Sequence, residues 1–306
     1  MLEHSPWNNF AISNRLWILI PVAIGFSGCN KAPEISESDR ETANRYLSAL
    51  EENANLILAK GRDHYEEPSP LFVDGMEIET LEPVQWQYDH HRWILSNLAN
   101  QQDLLRTLDG LTTLTGKQDY RDAAEAAVEF GFENLQTPNG LLLWGGHIAV
   151  DLETDQWVGR RFHWLGKKRS PVHELKSCYP HFDMMWRIDR KETERFVRVL
   201  WEAHIRDWSN LDFDRHGGVE KPKEIDERVW DREFDETSPV FFRGQGRTFV
   251  NCGSDLFYAA SLLNLYGREK GAAAWAQRLL SRYEASRHSV TGLRSYHFSS
   301  PDPEDR

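Results

Sequence analysis

Three short segments carry the residues whose types could do chemistry. The first, "LLLWGGHIAV" (141–150), sets a glycine pair before His147. The second, "VHELKSCYPHFDMMWRID" (172–189), offers His173, Glu174, Lys176, Tyr179 and His181. The third, "LDFDRHGG" (211–218), puts Asp212, Asp214, Arg215 and His216 beside two glycines. Two imidazoles and one carboxylate make a divalent-metal site with positions left open for water or substrate. Imidazole ligands favour Mn, Co, Ni or Zn over calcium, which prefers all-oxygen cages. No HExxH-type pair occurs, so such ligands must be gathered from separate segments. The glycines after Arg215-His216 also fit a plain helix exit, with a cation complementing the helix dipole. His173 and His181 are open as general bases or as packed and capping histidines.

Around these segments lie groups suited to an acidic polymer. Arg160, Arg161, Lys167, Lys168 and Arg169 form a basic run with no acid inside it. Such a run focuses polyanions locally, or is a solvated surface loop. Trp144, Trp157, Trp164, Tyr179 and Trp186 are candidates to stack on sugar faces or to fill the core. The whole chain carries a net charge of -12, which argues against nucleic acid as a partner.

The elements that must position these groups read as helices. In the 306-residue chain, hydrophobic residues make up 40% and tryptophan appears 12 times, enough for a large core. Ser38 with Glu41 fits a capping box, and Tyr46, Leu47, Leu50, Ala54, Ile57 and Leu58 follow at helical spacing to Lys60. Further helical patterns run over Trp93–Leu114, Tyr120–Leu135, Asp189–Trp208, Ser254–Tyr266 and Lys270–Tyr283. Pro68–Pro83 is a loop, and Gly140–Asp151 is the one convincing extended piece. One junction recurs. "LTGKQDYRDAAEAAVEF" and "LYGREKGAAAWAQRLL" both read Leu-x-Gly, a polar link, then an Ala-rich helix. Stacked antiparallel hairpins need this, because Ala lets helices approach closely. The expected class is all-α, an α/α toroid of helical hairpins with minor β pieces, over residues 38–306.

The N-terminus reads as a targeting segment, residues 1–29. Arg15 precedes an apolar run, Leu16 to Phe26, too short to span a bilayer comfortably. It ends in Phe26-Ser27-Gly28-Cys29, which resembles a bacterial lipobox with Cys29 as the lipidated residue. That predicts an exported protein, periplasmic or anchored to the outer membrane by lipid, with 30–37 as a polar tether. Cys178 and Cys252 are able to pair in an oxidising compartment, and neither has thiolate metal-site spacing.

Taken in order, "WGGH…HELK…YPHFDMMWRID…DFDRHG" resembles the family 2 polysaccharide lyases, pectate lyases of the periplasmic and intracellular type with an α/α toroid fold. The resemblance covers roughly Trp86 to Gly217 well and the rest loosely. It implies a transition metal, Mn first, held by His147, Glu174 and His216. It implies Arg215 as the base and Lys176 as a partner for a carboxylate or oxyanion. A free guanidinium has a pKa above about 12, which a nearby metal and desolvation lower. The implied reaction is β-elimination in polygalacturonate, an acidic polysaccharide. The stretch between His147 and Glu174 is longer than the family's, and the family's chains continue further. The latter reads as an incomplete ring in a truncated or shortened member. Two other classes stay open: a glycoside hydrolase using two of Asp89, Asp183, Asp212 and Asp214, and a non-catalytic glycan-binding lipoprotein.

Overall fold

The computed structural model describes residues 35–88, 90–146, 148–159, 172–219, 228–238 and 252–294. Of the described residues, those up to Tyr46 fall in one unit and those from Leu47 onwards in a second. Among the described residues there are seven helices and nine short strands, a mostly α fold with minor β. No described helix is long and apolar enough to cross a membrane.

Helix α1 (Glu37–Lys60) is capped two residues earlier than the Ser38–Glu41 box predicts. The Ser36 hydroxyl accepts from the Asp39 N–H at 3.1 Å and bonds the Asp39 carboxylate at 2.7 Å. Helix α2 (Gln102–Thr115) starts well after Trp93. The segment before it is extended instead: β2 (His91–Trp93) pairs with β1 (Trp86–Tyr88), and β3 (Leu95–Ser96) pairs with β4 (Ala149–Asp151). The override is tertiary, because the Asp151 carboxylate takes the Ile94 N–H at 2.9 Å and a ladder partner exists only in the folded chain. β5 (Gln156–Val158) completes that small sheet.

The recurring junction makes real hairpins. Helix α2 turns into α3 (Gln118–Asn134) through Gly116, at φ 76, whose N–H reaches the Thr112 carbonyl at 2.9 Å. Ala123, Ala124 and Ala127 then bury against Leu105, Leu108 and Leu111. Helices α6 (Ser254–Gly267) and α7 (Lys270–Ala285) repeat the pattern with a shift. There Gly267 stays helical, and Arg268 takes the left-handed position at φ 58.

Between the hairpins, α4 (Phe182–Ile188) and α5 (Arg190–His204) adjoin through Asp189, whose side chain caps α5 by accepting from the Glu192 N–H at 2.9 Å. Helix α5 ends at His204, and the chain reverses through β7 (Ile205–Asp207) and β8 (Asp212–Phe213). It then enters β9 (His216–Gly218), which pairs with β6 (Val172–Glu174). The Arg215-His216 glycines therefore belong to a strand, and the helix-exit reading of that stretch is overturned. Extended structure is also more widespread than one piece. The helices share one large core, and a smaller one under β3–β5 contains Leu71, Ile94, Leu98, Trp144 and Val150.

Candidate functional site

The β6–β9 ladder is antiparallel, with Glu174 opposite His216 and His173 opposite Gly217. Directly opposed residues project from one face, and the next residue along points to the other. Glu174 and His216 therefore meet, with Glu174 Oε1 3.7 Å from His216 Nε2. An Arg215 terminal nitrogen lies 3.4 Å from the same oxygen. Glu174 is buried, and its Oε2 accepts from the Gly146 N–H at 2.5 Å. The Gly145-Gly146 turn has no room for side chains. A Cβ at Gly145 would stand 2.5 Å from that of Glu174, and one at Gly146 would stand 2.8 Å from Glu174 Oε2 and 3.2 Å from Lys176 Nζ. Gly145 also sits at φ 115, where a Cβ is strained. Guanidinium, imidazole and a backbone amide thus surround one carboxylate, with the Lys176 ammonium beside Gly146.

His216 is set from behind by Asp214, whose carboxylate accepts the His216 N–H at 2.9 Å and lies 3.6 Å from Nδ1. Burial pulls the His216 pKa down, but the Asp214 and Glu174 carboxylates outweigh it and leave the pKa raised. Burial likewise pushes Asp214 up, and His216 with Arg206 reverses this, leaving it lowered.

The other face of the ladder points inward. His173 is 2% exposed, stacked on Trp144 and edge-on to Phe196. Its Nδ1 lies 2.9 Å from His204 Nε2, and His204 Nδ1 lies 2.8 Å from the Asp214 carbonyl. A carbonyl only accepts, so His204 Nδ1 carries its proton and Nε2 receives one from His173. Burial pulls His204 down to about 4 and His173 well below its usual value, so both rings are neutral near pH 7. His173 and Trp144 are interior groups and present no surface to a polymer.

Lys176 is held by its backbone. The Asp255 carboxylate accepts from the N–H groups of Lys176 at 3.1 Å and Ser177 at 2.9 Å, and Ser177 sits at φ 55. Beside Lys176 and Gly146 opens a cleft of about 400 Å³, walled by Trp86, Trp93, Asn97 and Asn100. Trp86 and Trp93 are cross-strand partners on β1–β2. The sequence reading names neither as a candidate: Trp93 falls at the start of the Trp93–Leu114 helical pattern, and Trp86 before it belongs to no read element.

The remaining candidates lie elsewhere. His181 Nε2 is 3.0 Å from the Asp109 carboxylate, in a network with Arg121 and Arg187. Tyr179 is 41% exposed, and its hydroxyl donates to Ser254 at 3.1 Å. Trp186 packs on Tyr266 under Arg190, and Trp157 lies in β5. Asp183 is bonded by the Tyr266 hydroxyl, while Asp212 and Asp214 are buried. Cys178 and Cys252 are both free. His147, Asp89, Trp164 and the basic run of Arg160, Arg161, Lys167, Lys168 and Arg169 lie outside the described residues, as does Cys29.

Among the described residues no set of three His, Cys, Asp or Glu forms a metal cluster. Glu174 and His216 are two fitting donors. Carboxylate oxygen and imidazole nitrogen 3.7 Å apart suit two ligands of one first-row ion, with bonds of roughly 2.0–2.2 Å.

A mostly helical chain thus brings a carboxylate and an imidazole together on one strand ladder, with Arg215 and Lys176 flanking its strands. The family model described as periplasmic pectate lyase matches residues 69–306, and the chain belongs to that family. The pectate disaccharide-lyase of Dickeya dadantii (strain 3937) is 34% identical over 274 residues, covering 88% of this chain and 49% of that protein. The chain therefore spans about half the length of this curated relative.

Proposed function

We propose that the protein cleaves pectate, or a closely related uronate polymer, by metal-assisted β-elimination, with His147, Glu174 and His216 as metal ligands. The observation that carries this, in a chain of the periplasmic pectate lyase family, is the β6–β9 register. It opposes Glu174 to His216 and lays Arg215 against the same carboxylate. A bound divalent ion, Mn first and Co, Ni or Zn as alternatives, supplies Lewis-acid stabilisation of charge building on the uronate carboxylate. Arg215 takes the proton from the carbon next to that carboxylate. The electron pair left behind becomes a carbon–carbon double bond as the bond to the glycosidic oxygen breaks. That oxygen leaves on the neighbouring sugar and takes up a proton from solvent. Lys176 pairs with the substrate carboxylate by a charge-assisted hydrogen bond. Trp86, which is exposed, offers a sugar-stacking wall beside it, and Arg160 and Arg161 draw in the polyanion. Tyr179 has the exposure a sugar contact needs; His173 and Trp144 pack behind the site without touching substrate, and His181 is engaged with Asp109.

The same reading makes the hairpins α2–α3 and α6–α7 parts of an α/α toroid. It makes the protein exported and lipid-anchored through Cys29, which mass spectrometry of the native N-terminus checks. An intact peptide crossing Gly28-Cys29 sinks the anchor.

The reaction is tested on polygalacturonate. Elimination leaves an unsaturated uronide and raises near-ultraviolet absorbance; a chelator should abolish the rise and added Mn restore it. Arg215→Lys should cost roughly a hundred- to ten-thousandfold in turnover with metal content unchanged, since a lysine lacks the planar fork and its reach. New reducing ends without that absorbance would mean hydrolysis. Metal binding with no product from any uronate polymer would mean a binding protein.

A further inference from the structure

The turn that holds the Glu174 carboxylate is itself held from its far side by one buried residue. Asn97 follows β3 and is 5% exposed. Its backbone N–H donates to Asp74 at 2.8 Å, and its side-chain oxygen accepts from the Ala99 N–H at 3.1 Å. Its side-chain nitrogen donates to the Gly145 carbonyl at 2.6 Å and to the Ile148 carbonyl at 3.1 Å. Both acceptors are carbonyls, so the amide orientation is fixed by the network. Across the same turn, the Gly146 N–H meets Glu174 Oε2, and the Trp144 carbonyl takes the Glu174 N–H at 3.2 Å. The turn is clamped between Asn97 and Glu174. A carboxamide suits the position because one nitrogen supplies two donors while the oxygen stays an acceptor. Aspartate has no donor to give, and serine has only one.

We propose that Asn97 is a positioning residue for the metal site. By gripping the Gly145 and Ile148 carbonyls, it sets the Gly146 amide against Glu174 Oε2. That fixes the direction in which Oε1 faces His216 and Arg215. The proposal rests on the reading of Glu174 and His216 as metal ligands. It fits the general behaviour of ligand supports, whose loss costs roughly ten- to a hundredfold in metal affinity.

The test uses the full chain titrated with Co(II), followed by its visible ligand-field absorption, with folding checked by circular dichroism. Asn97→Asp keeps size and the acceptor for Ala99, loses both donors, and sets a carboxylate oxygen against two carbonyls. Asn97→Ala removes the clamp altogether, and Asn97→Ser keeps a single donor should the first two fail to fold. The expected result is a roughly ten- to hundredfold loss of Co(II) affinity with a changed band shape in the folded variant. A merely structural role would lower the melting temperature and leave the spectrum of the folded protein alone. Folded variants with affinity within about twofold of the parent and an unchanged spectrum overturn the proposal. Glu174→Gln separates the two levels. If it takes up Co(II) like the parent, or the parent takes up none, the metal reading fails and the proposal with it. If Glu174→Gln loses Co(II) and Asn97→Asp does not, only the proposal fails.

Discussion

The α6–α7 hairpin and the β6–β9 ladder are built on opposite terms. The hairpin is assembled from neighbours in sequence: a helix, a left-handed link at Arg268, an N-cap at Glu269 and an Ala-rich partner. Its interior is apolar and close-fitting. Trp275 is fully buried, meets Trp208 edge-on at 4.8 Å, and donates its indole N–H to the Trp230 carbonyl at 2.8 Å. The ladder joins two strands far apart in the chain and is polar on both faces. One face carries Glu174 and His216, and the other the His173–His204 pair. The hairpin contributes stability through area removed from water. The ladder contributes geometry: His173 Nδ1 meets His204, Glu174 Oε2 meets the Gly146 N–H and His216 lies beside Asp214, while His173 Nε2 is buried without a hydrogen-bond partner among the described residues.

The widest separation between the two should come from Trp275→Ala. It opens a large hole and should cost about 3–5 kcal/mol in urea denaturation, while the folded fraction keeps its metal affinity. Glu174→Gln should do the reverse. It keeps an acceptor for the Gly146 N–H, leaves stability within about 1 kcal/mol, and lowers metal affinity roughly a hundredfold. Metal affinity lost in Trp275→Ala, or retained in Glu174→Gln, would erase the distinction between the two regions.

Acid should act on the ladder. Burial depresses the His204 pKa from 6.5 to about 4, so the ring is neutral in the fold and takes up a proton on unfolding. Stability from this group is whole above pH 6.5 and is lost as pH falls towards 4, reaching about 2 kcal/mol of loss at pH 5. Asp74 and Asp255, both pushed up to about 6 by burial, act the other way, because their folded forms hold protons that the unfolded chain sheds. The effect is therefore read as a difference. Between pH 7 and 5 the parent should lose about 2 kcal/mol more than His204→Gln does. Parallel pH curves would show that the histidine pair does not carry this sensitivity.

The smallest effect sharpens the hairpin side. At the α2–α3 junction glycine holds the left-handed position, and at α6–α7 an arginine does. Arg268→Gly removes the Cβ penalty but adds freedom to the unfolded chain, leaving a net gain of about 0.5 kcal/mol. A loss of stability would mean that the arginine side chain does more at the junction than occupy the turn.

What the sequence determined by itself is what depends on near neighbours. Tyr120–Leu135, Ser254–Tyr266 and Lys270–Tyr283 appear as helices close to their read limits, because 3.6-residue spacing and caps act within one turn. Residue type placed Glu174, Arg215 and His216 among several candidates, the resemblance in motif order singled them out, and the structure brings them together. Tertiary structure decided the rest. Leu95 became strand rather than helix because its ladder partner, Asp151, lies far along the chain, whereas Trp93 pairs within a local hairpin with Trp86. His173 and Glu174 are adjacent in sequence and similar in promise, yet period-2 alternation sends one inward to His204 and the other to the site. A one-residue slip of β6 on β9 would exchange them. Asn97 carries no motif at all. Its importance exists only where two carbonyls and a carboxylate-holding turn arrive beside it, and no local pattern encodes that meeting.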